Sequence, residues 1–257
     1  LSLESTQFIL KPGQIEVAEA LAEEQKSPVL PVLTYLANEI SAGDRLTPYS
    51  LIASLDIPNE NSKAFGEMKL LDGSPAPDLT SGEILLNEWI AKDLEVETGD
   101  SIQVRYYAVG SGEELLTRNT AFVLKGILSL EGLTADRTLS PEFPGLQEAD
   151  DMGSWDAPFP VNLKLIRPKD EAYWDSYGAL PKAFVSLETG LDLWQSRFGT
   201  LTSLRFGVPP GQNSQAFEKG FREGLLNRFS PVEVGLNFQA VKQQGLAASS
   251  GATDFSM

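Results

Sequence analysis

Residues 83–109, EILLNEWIAKDLEVETGDSIQVRYYAV, restrict the possible folds more than any other stretch of the chain. Apolar Ile84, Leu85 and Leu86 predict a short strand. Asn87 follows, a residue whose side-chain oxygen can accept from the free N–H groups of a helix start. Glu88 then places negative charge where a helix N-terminus favours it. Trp89, Ile90 and Leu94 share one helical face. Gly99 supplies a turn conformation that a β-carbon disfavours, with Asp100 beside it. Residues 101–109 alternate as a strand, and Gly110-Ser111-Gly112 turns the chain back towards 113–118. Residues 121–130 complete a small β-rich unit. Strand, capped helix and hairpin in such close order demand a mixed fold with this segment at a sheet.

The flanking stretches carry the same two periodicities. Before the unit, 6–10 reads as a strand closed by Pro12-Gly13, and 15–25 as a helix with Ile15, Ala18, Leu21 and Ala22 at helical spacing. Residues 29–40 are apolar and β-prone, with Pro31 arguing for an edge or a bulge. Ala42-Gly43-Asp44 turns into a partner strand over 46–55. Residues 56–82, rich in Pro, Gly, Asp and Ser, predict a loop at a module boundary. After the unit, 170–177 predicts a helix with Asp170 as its cap, and 182–186 a strand. Leu187, Leu191, Trp194 and Phe198 form one helical stripe. Residues 200–206 follow as a strand, 214–229 as a helix with Phe217, Phe221 and Leu225 in line, and 232–238 as a last strand. The Ala-, Ser- and Gly-rich tail 245–256 is expected to fray.

Composition excludes more chemistry than it suggests. The chain of 257 residues has no His and no Cys. That removes Ser-His-Asp and Cys-His nucleophilic sites, zinc held by those ligands and haem held by His. Carboxylate, lysine and oxygen-ligated metal chemistry survive. The net charge of −16 argues against nucleic acid and against a polybasic hold on lipid. No run of about 18 apolar residues occurs, as a spanning helix requires. The first residues, Leu1-Ser2-Leu3-Glu4, lack an initiator Met and a signal-like core, which favours a fragment of a longer chain.

The candidates for chemistry gather in residues 136–206, which hold ten of the 23 aromatics and six of the 16 prolines. Glu148, Asp150, Asp151 and Asp156 could offer oxygens to Ca²⁺, but the spacing of a calcium loop is absent and a solvated acidic loop is the plainer reading. Two of these carboxylates facing an aromatic groove would suit a glycoside hydrolase. Yet Tyr173, Trp174, Tyr177 and Trp194 fall on helical faces, where core packing accounts for them. Arg137, Arg167 and Arg197 could pair with the acids as structural wiring. Phosphate-loop and nucleophile-elbow motifs are missing, so Gly110-Ser111-Gly112 is a hairpin turn. No catalytic, cofactor-binding or metal residue is assigned. The loop from Pro141 to Pro160 is too long for a mere connection and is a candidate docking surface.

The order strand, Asn87-Glu88, helix Trp89-Ile90-Ala91-Lys92-Asp93-Leu94, then Thr98-Gly99-Asp100 and strand resembles the extracytoplasmic core domain of ABC-transporter permeases of the MacB/FtsX type. Ser140-Pro141-Glu142-Phe143-Pro144-Gly145, Trp155-Asp156-Ala157-Pro158-Phe159-Pro160, Tyr173-Trp174, Pro181-Lys182-Ala183-Phe184-Val185 and Arg197-Phe198-Gly199 look like one bacterial branch of them. So does Pro31-Val32-Leu33-Thr34-Tyr35-Leu36-Ala37-Asn38, and residues 246–255 look like the approach to a transmembrane helix. The resemblance covers nearly the whole chain. It implies an α+β fold in which a discontinuous porter-like α/β domain, 1–78 and 136–257, carries a small β-rich subdomain, 79–135. It also implies a non-catalytic loop between two membrane helices on the periplasmic face of the bacterial inner membrane. A separate cytoplasmic ATPase, periplasmic or outer-membrane protein partners and a dimeric parent go with it. The alternative is a secreted acidic binding protein or carboxylate-based hydrolase.

Overall fold

In a computed structural model, the described residues are 1–57, 63–110, 114–141, 152 and 160–229. Eight strands and five helices follow one another as β1 (Ser2–Glu4), α1 (Pro12–Glu24), β2 (Val29–Ala42), β3 (Arg45–Ser54), β4 (Glu83–Asn87), α2 (Glu88–Leu94), β5 (Ser101–Val109), β6 (Leu115–Leu128), α3 (Pro168–Tyr177), β7 (Ala183–Val185), α4 (Leu187–Trp194), β8 (Ser203–Phe206) and α5 (Ser214–Leu226). The class is α+β. No helix among the described residues is long and apolar enough to cross a membrane.

The strands form one sheet in the order β1-β8-β2-β3-β7-β4-β6-β5, and β5 also pairs with β2. The sheet therefore curls until β2 meets its far end. Both faces are covered. On one, Leu33, Ile52, Leu86, Val104 and Phe122 pack beneath α1, α2, α4 and α5. On the other, Val32, Ala53, Leu85 and Phe184 pack under Met68, Leu133 and Leu139. Adjacent residues such as Leu85 and Leu86 are thus both fully buried, as the alternating pleat of a doubly covered strand requires. α4 approaches β3 closely because its facing residue is Gly190, where a β-carbon would lie 2.0 Å from Ser54 Oγ.

The structure corrects several sequence expectations. The first strand is Ser2–Glu4, not 6–10. Phe8 takes a left-handed φ of 70°, which ends the extended run, and only Leu10 bridges to Leu201. Pro31 is not on an edge strand, because β2 has neighbours on both sides. Val32 turns its carbonyl to Thr202 N on the β8 side, so Pro31 faces the other way, where pairing with β3 starts only at Leu33. Its missing N–H leaves no gap in the ladder. The expected strands 113–118 and 121–130 are one strand, Leu115–Leu128, paired with β5 throughout its first half. In α3 the cap position belongs to Arg167. Asp170 sits one turn in and reaches back to accept from Arg167 N at 2.9 Å. The stripe from Leu187 breaks after Trp194, and Phe198 lies 57% exposed on a turn between Ser196 and Gly199. The expected strand 232–238 and the tail 245–256 lie outside the described residues, as does nearly all of the 141–160 loop.

Candidate functional site

The middle segment, carrying β4, α2, β5 and β6, meets the rest of the sheet along two seams. At the first, β4 pairs with β7 through Leu85–Phe184 and Leu86–Ala183. Asn87 closes β4 and starts α2. Fully buried, it accepts from Ile90 N at 3.1 Å and donates to Tyr173 Oη at 3.0 Å and to the Pro181 carbonyl at 3.2 Å. One residue thus caps a helix and ties it to α3 and to the approach of β7.

Beside Asn87 lies a network of buried charge. Asp93 on α2 is 3% exposed at its side chain and Asp170 on α3 is fully buried; Arg167 joins them, with 2.7 Å contacts to both. Arg167 also donates to the Leu46 carbonyl, and Thr47 Oγ1 donates to Asp93, each at 2.7 Å. Lys169 is a further partner of Asp93. Burial opposes ionisation of Asp93, but the hydrogen bonds from Lys169, Thr47 and Arg167 outweigh it, and its carboxyl is held below the usual range. Two buried carboxylates here need their cations, since an unpaired buried charge is costly.

The Lys182 amine is enclosed by the rings of Trp89 at 4.7 Å and Tyr173 at 4.6 Å. Burial drives its pKa down to about 8 against the pull of Asp170 and Asp93. Cation–π contact and two nearby carboxylates only partly replace the lost hydration.

The second seam is built differently. β2 and β5 pair only over Glu39–Arg105, Ile40–Val104 and Ser41–Gln103. Residues of β2 packed on the first core are Leu33, Tyr35 and Ala37, then Ile40, so the alternation slips by one around Asn38. Opposite, Tyr49 of β3 takes a left-handed φ of 42°, and the buried polar positions Ser50 and Thr47 repeat the slip. The register with β3 continues through this distortion unchanged, while the pairing with β5 ends at Glu39–Arg105 beside it. Among the described residues, Asn38 Oδ1 is left buried without a hydrogen-bond partner.

A cleft opens where the strands part. Thr34, Tyr35, Leu36, Asn38, Tyr49, Tyr107 and Leu115 line a cavity of about 200 Å³. Asn38, Tyr49 and Tyr107 also border one of about 370 Å³ that runs under Pro160, Val161, Asn162 and Leu165. Tyr35 borders a third, of about 440 Å³, with Ile9, Val109, Trp194 and Phe198. Tyr35 spans the gap. Its ring stacks on Trp194 at 5.1 Å, Tyr106 meets both rings edge-on, and its hydroxyl donates to the Tyr107 carbonyl. Burial pushes the Tyr35 phenol up to about 12, so it remains a donor at neutral pH.

Of the residues the sequence singled out, Glu148, Asp150, Asp151, Asp156 and Trp155 lie outside the described residues. Arg167 enters the network above. Arg137 donates to the Ser176 carbonyl, and Arg197 covers the Phe198 ring at 4.8 Å. The three arginines are not brought together. Trp194 and Tyr173 are core residues, each at a different seam. Sequence reading missed Asp93, Lys182, Asn38, Tyr49 and Tyr107. Only Asp93 carried a signal, since a carboxylate near the C-terminal end of a short helix opposes its dipole and calls for a partner elsewhere.

No protein-family model and no curated protein matches this sequence. Among solved structures, the chain is similar to the periplasmic region of MacB from Actinobacillus actinomycetemcomitans, at 12% identity and a TM-score of 0.46, over 98% of this chain and 86% of that one. It is also similar to the extracellular domain of the noncanonic ABC-type transporter YknZ from Gram-positive bacteria, at 8% identity and a TM-score of 0.44, over 85% and 88% of the two chains. Scores of this size do not equate the folds. Both structures are of the kind that the sequence resemblance named.

Proposed function

We propose that the chain is the non-catalytic extracytoplasmic domain of an ABC-transporter permease, hung between two membrane helices of a longer polypeptide at the periplasmic face. In that setting it couples cytoplasmic ATP hydrolysis, performed by a separate ATPase, to the engagement of substrates or protein partners outside the membrane. The observation that supports this best is that, among the described residues, the first strand and the last strand and helix meet at one side of the sheet. The Leu1 backbone nitrogen donates to the Phe206 carbonyl at 3.0 Å, and Phe221 of α5 packs on the Phe206 ring at 4.4 Å. First strand and last described helix meet at a single residue, which suits a domain entered and left through neighbouring membrane segments.

The division into 1–78 and 136–257 as a porter-like part, with 79–135 inserted, belongs to the same proposal. In its favour, β1 and β2 pair with β8, and β3 with β7, so the outer segments interleave. The middle segment supplies three strands in succession, with β6 paired to both β4 and β5.

The test is the parent polypeptide. Its topology, mapped with reporter fusions in a bacterial membrane, should show an apolar segment of about 18 residues or more on each side of this region. The region itself should lie outside the cytoplasm. A parent that is secreted whole, without such segments, overturns the reading.

A further inference from the structure

We propose that the open edge of β5 at Val109 takes an extended, basic polypeptide segment as an added strand, with an apolar side chain seated in the cavity against Trp194. The proposal goes beyond the permease reading and does not depend on it.

The geometry begins with register. Gly110 N donates to the Glu114 carbonyl at 2.8 Å, and the pairing of β5 with β6 continues in that register down to Ser101–Val123. Antiparallel pairing alternates, so the even-numbered residues of β5 hydrogen-bond to β6 and the odd-numbered ones turn the other way. There Gln103 and Arg105 meet Ser41 and Glu39 of β2. Past Arg105, β2 has swung off. The Tyr107 carbonyl takes the Tyr35 hydroxyl, and the N–H and carbonyl of Val109 face the cleft with no strand beside them among the described residues. Exposed backbone of this kind is a template for strand addition.

The neighbourhood supplies the second half of the site. A strand laid about 4.8 Å from β5 falls over the cavity of about 440 Å³ bordered by Ile9, Tyr35, Trp194 and Phe198. Val109 is 51% exposed and Phe198 57% exposed at its rim, while Trp194 is 4% exposed at its floor. The Trp194 Nε1 is buried without a hydrogen-bond partner among the described residues. Charge chooses the occupant. The net charge of −16 favours a cationic over an anionic segment by long-range attraction; at the rim, Glu114 lies beside Gly110 and Arg197 lies over the Phe198 ring.

The experiment uses the whole chain and a pool of acetylated, amidated peptides Lys-Lys-X-Thr-X-Thr-X-Lys-Lys, with X drawn from Val, Leu and Phe. Amide hydrogen exchange is followed residue by residue, and affinity by titration calorimetry. The pool should slow exchange at Val109 at least tenfold. Val109→Pro removes the donor that faces the cleft and leaves the bonds to β6 in place; it should weaken binding at least fivefold. Phe198→Ser, at an exposed position, should weaken it as well. A pool with Glu in place of Lys should bind at least tenfold more weakly. No slowing at millimolar peptide, equal binding to Val109→Pro, or slowing at β1 instead of Val109 overturns the proposal. So does a dimer of the chain that Val109→Pro abolishes, since the edge then belongs to a second copy.

Discussion

The two seams that hold the middle segment are opposite solutions to one problem. At the seam of β4 and β7, Asn87 satisfies a helix start, a tyrosine and a carbonyl at once, and three cationic side chains crowd two buried carboxylates. At the seam of β2 and β5, pairing lasts for three residue pairs and then gives way to a cleft. The first arrangement admits one geometry. The second leaves backbone groups, an orphaned Asn38 oxygen and an aromatic floor uncommitted. A domain that must keep its parts in place and still meet something outside itself needs both, and recognition belongs at the seam that is not already satisfied.

The sharpest way to break the contrast is to unseat the closed seam. Arg167→Met leaves Asp93 and Asp170 buried without their shared guanidinium, and losing one partner of such a pair costs roughly 3–5 kcal/mol. Denaturant melts should show a loss of this size, far above anything obtained by substitution in the cleft. A loss below about 1 kcal/mol, the range of exposed ion pairs, would show that the network is ordinary surface wiring.

Lys182→Met should act in the opposite direction. The native amine titrates near pH 8, whereas an unfolded lysine titrates near about 10.4. Between these values the unfolded chain holds the extra proton, so stability rises with pH through the window from about 8 to about 10. Below it both states are charged and the burial penalty is paid in full, on the order of 3 kcal/mol. The methionine variant should be more stable at pH 7, less the lost ring contacts, and should not gain stability between pH 8 and 10. Urea midpoints measured across that range decide the matter; an unchanged slope overturns the assignment.

Gly190→Ala tests the open seam from beneath. A β-carbon there meets Ser54 Oγ at 2.0 Å and Ser54 Cβ at 2.2 Å, so α4 must lift from β3, at about 1–3 kcal/mol for an overpacked contact. Because α4 carries Trp194, near-ultraviolet circular dichroism should change along with the melting temperature. Full retention of both signals would mean that the helix shifts freely.

The difference between the seams also explains what the sequence could reveal. Asn87, Glu88 and Gly99 act locally, and the structure bears them out: Asn87 caps α2 through Ile90 N, and Gly99 turns with φ 101°. Phe217, Phe221 and Leu225 lie buried in line on α5 as their spacing required. Lys182 read as the start of a strand, since nothing near it in sequence announces Trp89 or Asp93 as neighbours. The cleft was less legible still. It depends on the left-handed backbone of Tyr49, a residue type with no preference for that conformation, and on where β2 leaves β5. Such features belong to tertiary packing and not to any window of the chain. The acidic loop between Pro141 and Pro160 contributes Met152 alone to the described core, where it packs with Tyr49.

The smallest effect should come from Tyr35→Phe, and it is the most discriminating. The ring can keep its stack on Trp194, so only the hydrogen bond to the Tyr107 carbonyl is lost, worth roughly 0.5–1.5 kcal/mol. That bond bridges the two strands where their ladder has ended. Hydrogen exchange should therefore quicken along residues 106–109 and stay unchanged at Asn87 and α2. The pH signature differs from that of Lys182. An unfolded tyrosine ionises near about 10 and the native phenol near 12, so the wild type loses stability as pH rises above about 10, because the unfolded chain releases its proton first. Phenylalanine removes Tyr35's share of that alkaline loss, while Tyr173, whose phenol burial also raises, keeps its own, and the rise between pH 8 and 10 stays intact. If exchange quickens equally at both seams, the cleft and the charged network act as one unit, and the division between a fixed seam and an open one is wrong.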